Sequence, residues 1–189
     1  MVYFIDNKEL TTMETTNKKA NTLLLVVGLI IAAAGLCAMV WNMISELPVA
    51  LRTLNIASIM VCVLTIFYGV SGYNIPHGNV MRVCFLAYAC LFAADVYFLG
   101  ETMAPFDKLA SLASIVIAAY MAGRLRKKVR NIISFSVVLV LQVIGQTLSY
   151  TGDSAHALAL AWSEVALWAA MGLIYLARFD SHIEAGKAE

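Results

Sequence analysis

The stretch Arg82–Thr102 reads RVCFLAYACLFAADVYFLGET. At about 1.5 Å of rise per residue, an apolar run of this length crosses a hydrocarbon core of roughly 30 Å as one helix. One carboxylate, Asp95, interrupts it. A charged side chain at the middle of a membrane helix costs about 2.5–3.5 kcal/mol on insertion scales, so such residues face the protein interior or a water-filled cavity. Any account of function starts at Asp95.

The rest of the chain agrees with a membrane reading. Of its 189 residues 61% are hydrophobic and 13% charged, with only three prolines. A globular chain is roughly half apolar and a quarter charged. The net charge of +1 comes from charges sorted by position, not gathered into a patch, so nucleic acid is excluded as a partner. Cys37, Cys62, Cys84 and Cys90 all fall in apolar runs without CxxC spacing and read as small buried residues. Three scattered histidines and no paired cysteines support neither a zinc site nor a bis-histidine haem, so no metal or cofactor is expected.

In chain order, residues 1–21 form a polar cytoplasmic tail, 22–178 a transmembrane domain and 179–189 a second cytoplasmic tail. Apolar runs place spans at 22–44, 55–73, 83–103, 109–123, 132–150 and 157–177. The turn YNIPHGN (73–79) separates spans two and three, and Pro105, Asp107 and Lys108 mark the turn after span three. Span four is short: residues 109–123 make about 22 Å of helix, so snorkelling of Lys108 and Arg124 or a re-entrant path is needed. Gly28, Ala32 and Gly35 line one face of span one, and Ser58, Cys62, Thr65, Gly69 and Gly72 one face of span two. Such small-residue rows are packing surfaces, here for a neighbouring helix or a homodimer partner.

Basic residues give the orientation. With six spans and both termini in the cytoplasm, eleven Lys and Arg lie inside, including Arg124, Arg126, Lys127, Lys128 and Arg130 of the run RLRKKVR. Only Arg52 and Lys108 lie outside, a strong positive-inside bias that supports span four as a crossing. The same run is expected to meet anionic lipid headgroups. The fold class is therefore an all-α polytopic integral membrane protein of six transmembrane helices, placed in a cell membrane, with a bacterial cytoplasmic membrane expected. At an offset of 76, Asn55-Ile56-x-Ser58 matches Asn131-Ile132-x-Ser134, Gly69 matches Gly145, and Leu91-Phe92-Ala93-Ala94 faces Leu167-Trp168-Ala169-Ala170. Those matches are compatible with a 3+3 inverted repeat, a common transporter plan.

Asp95 and Glu164 are the two acids well inside spans, with no Lys or Arg beside them. Helix rise puts Asp95 about 20 Å from the cytoplasmic end of its span, Gln146 about 21 Å, and Glu164 about 11 Å below the outer end of span six. Tyr88, Asp95 and Thr102 recur every seven residues. Gln142, Gln146 and Ser149 share a face of span five, and Glu164, Trp168 and Tyr175 a face of span six. These spacings predict a polar substrate-binding pocket in the outer half, built from Asp95, Glu164, Gln146, Gln142, Tyr88 and Trp168, with Glu101, Asp153 and His156 near its mouth. The purely structural reading has both acids protonated and bonded across helices, fixing register.

Three classes of function follow. Two carboxylates without an embedded base suit a transporter for a proton or a cationic or small organic solute, with Tyr88, Trp162 and Trp168 as aromatic faces for an organic cation. The same carboxylates would serve an intramembrane lipid-modifying enzyme as general acid and base. Residues 91–99, LFAADVYFL, resemble the acidic span of lysoplasmalogenase-type membrane hydrolases. Those proteins have more spans, and a glycine where this chain has Ala94. The third class is a non-catalytic membrane partner or scaffold subunit.

Overall fold

The computed structural model describes residues 7–44, 49–71, 77–99, 101, 105–123, 128–149 and 155–179, with side chains for 18–44, 49, 52–71, 80–98, 101, 105–123, 129–147 and 162–179. Arg124, Arg126, Lys127, Asp153 and the tail 180–189 lie outside the described residues, as do the side chains of Lys128 and His156.

Six helices follow one another: α1 (Asn7–Asn42), α2 (Val49–Ser71), α3 (His77–Leu99), α4 (Pro105–Gly123), α5 (Lys128–Ser149) and α6 (Ala155–Ala177). Among the described residues there is no strand. Five helices are long and apolar enough to cross a membrane, through Lys18–Asn42, Arg52–Ser71, Val80–Phe98, Pro105–Gly123 and Val129–Thr147. The described part of α6 adds a shorter apolar run, Trp162–Ala177.

Several boundaries differ from the sequence expectation: α2 and α3 each begin six residues early, at Val49 and His77, so the end of the expected turn 73–79 is helical. Helix α1 begins at Asn7, so much of the polar N-terminal segment continues the first apolar helix. Helix α4 begins at Pro105, four residues ahead of the expected start, and its 19 residues make about 28 Å of helix. Proline has no N–H to lose in a first turn, and an acid there meets the positive end of the helix dipole. Pro105 and Asp107 therefore start a helix where they were expected to form a turn, and α4 no longer needs a re-entrant path.

Successive helices pack side by side, and α6 returns to α1, closing a ring. The α1–α6 contact is the most extensive, and α6 also touches α2. The glycine row of α1 explains that closeness. A Cβ at Gly28 would come within 2.9 Å of Ile174 and 3.1 Å of Leu173, and one at Gly35 within 3.3 Å of Ala166. The small face of α2 is also occupied from within the chain. The Cys62 thiol donates to the Ala32 carbonyl at 3.3 Å, and Gly69 lies against Leu29 and Ile174. Both rows are thus packed against helices of the same chain at these residues.

The bundle is apolar outside and partly polar inside. Ile30, Met60, Phe67, Val70, Phe98, Val116, Ile133 and Val140 are exposed, whereas Asn42, Asn55, Ser58, Thr65, Asp95, Ser111, Ser114, Asn131, Gln142 and Ser163 are buried. Water would reverse that distribution; a bilayer permits it, because inward polar groups bond across helices while the outer face meets lipid. Asn55 donates to the Met39 carbonyl of α1 at 2.7 Å, and Asn131 to the Tyr175 hydroxyl of α6 at 2.8 Å. The two asparagines matched by the proposed repeat thus serve different kinds of neighbour.

Phe135 of α5 packs directly on the bare face of Gly172 in α6. Gly172→Ala puts a methyl where that ring lies. It is expected to destabilise the bundle by about 1–3 kcal/mol, as overpacking does, read as a lower thermal unfolding midpoint in detergent. Gly123→Ala, with nothing within 4 Å of the added Cβ, is the control and should leave the midpoint unchanged.

Candidate functional site

Where α3, α4, α5 and α6 meet, their interior polar groups converge. Asp95, 7% exposed, is four residues from the end of α3. Its carboxyl lies close to that of Glu164, which α6 brings across from its half-buried face. Asp107, half-buried in the first turn of α4, is close enough to act electrostatically on both. No Lys or Arg is among the groups that act on the pair. Among the described residues, no three His, Cys, Asp or Glu side chains are close enough to share a metal ion. The acids are thus arranged as a close pair with a third at longer range.

On the inner side of the pair runs a hydrogen-bonded layer that joins all four helices. Gln142 of α5, 4% exposed, donates from Nε2 to the Tyr88 hydroxyl at 2.6 Å and to the Ser114 hydroxyl at 3.1 Å. Tyr88 donates onward to the main-chain carbonyl of Glu164 at 3.5 Å, and Ser114 to that of Ala110 at 2.8 Å. Both hydroxyl hydrogens are thereby spent on main-chain carbonyls. With the amide placed this way, both oxygens accept from its NH2 end. The Gln142 carbonyl oxygen, Oε1, is consequently buried without a donor.

Beneath this layer the aromatic rings lock together. Trp168, fully buried, stacks on Phe135 at 5.4 Å and 16° and leans on Tyr88 at 4.8 Å and Phe85 at 5.7 Å. Its indole N–H donates to the Phe135 carbonyl at 3.1 Å. Phe92 covers Tyr88 from the other side at 4.7 Å. Burial of the tryptophan nitrogen is made tolerable by its acceptor, and the rings add packing that an aliphatic core lacks.

The structure therefore brings Asp95, Glu164, Tyr88 and Gln142 together. Gln146 lies half-buried one turn further along α5. Trp168 belongs to the packed layer below, with its ring faces against other rings. Tyr88 is equally closed in, and Trp162 is 38% exposed. The expected aromatic faces for an organic cation are not open around the acids. Glu101 is exposed in the α3–α4 turn. Sequence reasoning missed Asp107 and Ser114. The signal was present: once Pro105 is taken as a helix start, Asp107, Ser111 and Ser114 recur at +4 and +3 on one face.

The architecture is that of a polytopic helical membrane protein with a carboxyl pair in its interior. Comparison with protein-family models, characterised proteins and solved structures gives no match, so the site must be interpreted from its own chemistry.

The Tyr88–Gln142 bond predicts measurable coupling. Tyr88→Phe and Gln142→Leu should each lower stability in detergent. The double variant should lose less than the sum, by about 0.6–1.7 kcal/mol, the range found for interhelical polar pairs in membranes. Denaturant unfolding of the four proteins in the cycle measures that difference.

Proposed function

We propose that the chain is a small transporter-like protein of the bacterial cytoplasmic membrane that binds and moves protons through an acidic site in the outer half of the bundle. Both termini face the cytoplasm in this reading. One observation carries it: Asp95 and Glu164 face each other inside an apolar bundle with no base among the groups acting on them. Acids of this kind within membrane helices mark ion and proton pathways in pumps and transporters.

The cargo narrows from cations in general toward the proton for two reasons. Two facing carboxyls with no base beside them can hold a single proton between them. The rings that would receive an organic cation face one another, with Tyr88 and Trp168 fully buried.

The basic run 124–130 sets the orientation and meets anionic headgroups. Arg130 supports this. Its guanidinium carbon lies 5.1 Å from the centre of the Tyr120 ring, and its Nε and one terminal nitrogen are buried without a hydrogen-bond partner. A guanidinium held by a ring suits the phosphate level of a bilayer.

The test uses the full chain in proteoliposomes loaded with a pH-sensitive dye under an imposed pH gradient. The unaltered protein should dissipate the gradient. The double variant Asp95→Asn, Glu164→Gln should slow it by about 10²-fold or more, the low end of what positioned acid–base groups contribute. Equal rates in the two proteins would refute proton transport through this pair.

A further inference from the structure

Contacts between helices fix which residues stand at the same height in the bundle. Gly28 of α1 lies opposite Ile174 of α6, and Gly35 opposite Ala166, so the two helices run antiparallel. Continued by four residues, that register sets Trp162 level with Met39, about 3 Å short of Trp41. Asn55 and Cys62 of α2 bond to the carbonyls of Met39 and Ala32, which brings Arg52 level with Asn42. On α3, Phe85 packs on Tyr175 and Tyr88 on Trp168, so Tyr97 stands about 4.5 Å beyond Trp162. Trp41, Arg52, Tyr97 and Trp162 therefore fall within about 5 Å of one height.

All four are exposed. Tyr97 is 82% exposed, Trp41 45% and Trp162 38%, and Arg52 is exposed beside them. Tyr97 stands edge-on to the exposed Phe98 at 5.1 Å. Tryptophan and tyrosine each join a large apolar ring to one polar atom. Deep among acyl chains that atom has no partner, and in water the ring stays wetted, so the boundary between headgroups and chains suits both. An arginine stem can cross apolar surface and carry its charge to the phosphates.

The distance to the opposite end of the bundle agrees. Helix α1 rises about 33 Å between Lys19 and Trp41, against a hydrocarbon core of roughly 30 Å. Lys19 is exposed, and between the two α1 exposes Leu23, Val26, Val27 and Ile30. The level residues are also spread over α6, α1, α2 and α3, successive members of the ring of helices. A protein seated on one face would meet one or two of them. A leaflet meets them all.

We infer that Trp41, Tyr97 and Trp162 form an interfacial belt that binds the headgroup boundary of a phospholipid leaflet, at the end of the bundle where α1 and α3 finish and α6 begins. The belt also sets the depth of the interior polar groups. Glu164 follows Trp162 by two residues, about 3 Å of helix, so it lies just beneath the headgroups and away from the bilayer centre.

The chain has three tryptophans, so its own fluorescence is the probe. The full chain is placed in phosphatidylcholine vesicles carrying bromine, a contact quencher, either on the acyl carbons next to the headgroup or near the chain ends. Trp41→Phe, Trp162→Phe and the double variant separate the three emissions, and Tyr97→Trp in the double background reads the third ring. Trp41, Trp162 and the Tyr97→Trp reporter should each lose more emission to the shallow bromines than to the deep ones. Trp168, the only tryptophan left in the double variant, is fully buried and should keep its emission in both vesicles. Greater loss to the deep bromines at any of the three positions would overturn the belt. Losses no larger than that of Trp168 in both vesicles would show the rings covered by protein, and would overturn it too.

Discussion

Trp168 holds the bundle in register. Its ring lies between Phe135 and Tyr88 with Phe85 at its edge, and its N–H is fastened to the α5 main chain. One side chain of α6 therefore fixes the rotation of α3 and α5 about α6. The polar layer above depends on that rotation. Tyr88 reaches Gln142 because its ring is pressed against Trp168, and Asp95, seven residues further along the same face, then meets Glu164. In lipid, burying apolar surface drives no association between helices, so ring packing and interhelical hydrogen bonds must do the ordering.

Ring closure supplies the other half of the order. The row Gly28, Ala32, Gly35 lets α1 approach α6 at backbone distance, and Arg178, just past the end of α6, donates to the Gly69 carbonyl at 2.8 Å near the end of α2. The first and last helices are thus joined along the bundle, and α6 becomes its axis. Its residues Val165, Leu167, Trp168, Ala170, Met171, Ile174 and Tyr175 are all buried. Small residues on α1 and large ones on α6 are complementary, one making room and the other filling it.

These two constraints give the acidic site its chemistry. Each of the four helices around it contributes at least one polar side chain, and the main-chain carbonyls of Glu164 and Ala110 take up the hydroxyl hydrogens. What remains is a set of acceptor oxygens around a pair of facing carboxyls. Admitting a bulky organic cation there would mean parting rings that hold the helices in place.

Asp95 in its apolar helix was legible at once, because a carboxylate in such a run is expensive wherever the helix sits. The apolar runs, the small-residue rows and the similar depths of Asp95 and Glu164 were legible for the same reason: they follow from spacing along a single helix. Which helix fills a row, which face of Trp168 is covered and where Asp107 belongs were not. Each depends on the rotation of one helix against another, and lipid-facing and protein-facing positions are built from the same apolar residues. Residue spacing in this chain thus determined the helices and marked the costly groups within them. Only the packing of α6 against α1, α3 and α5 decided that two acids face each other, that a third lies within electrostatic reach of them and that the aromatic rings close the space below.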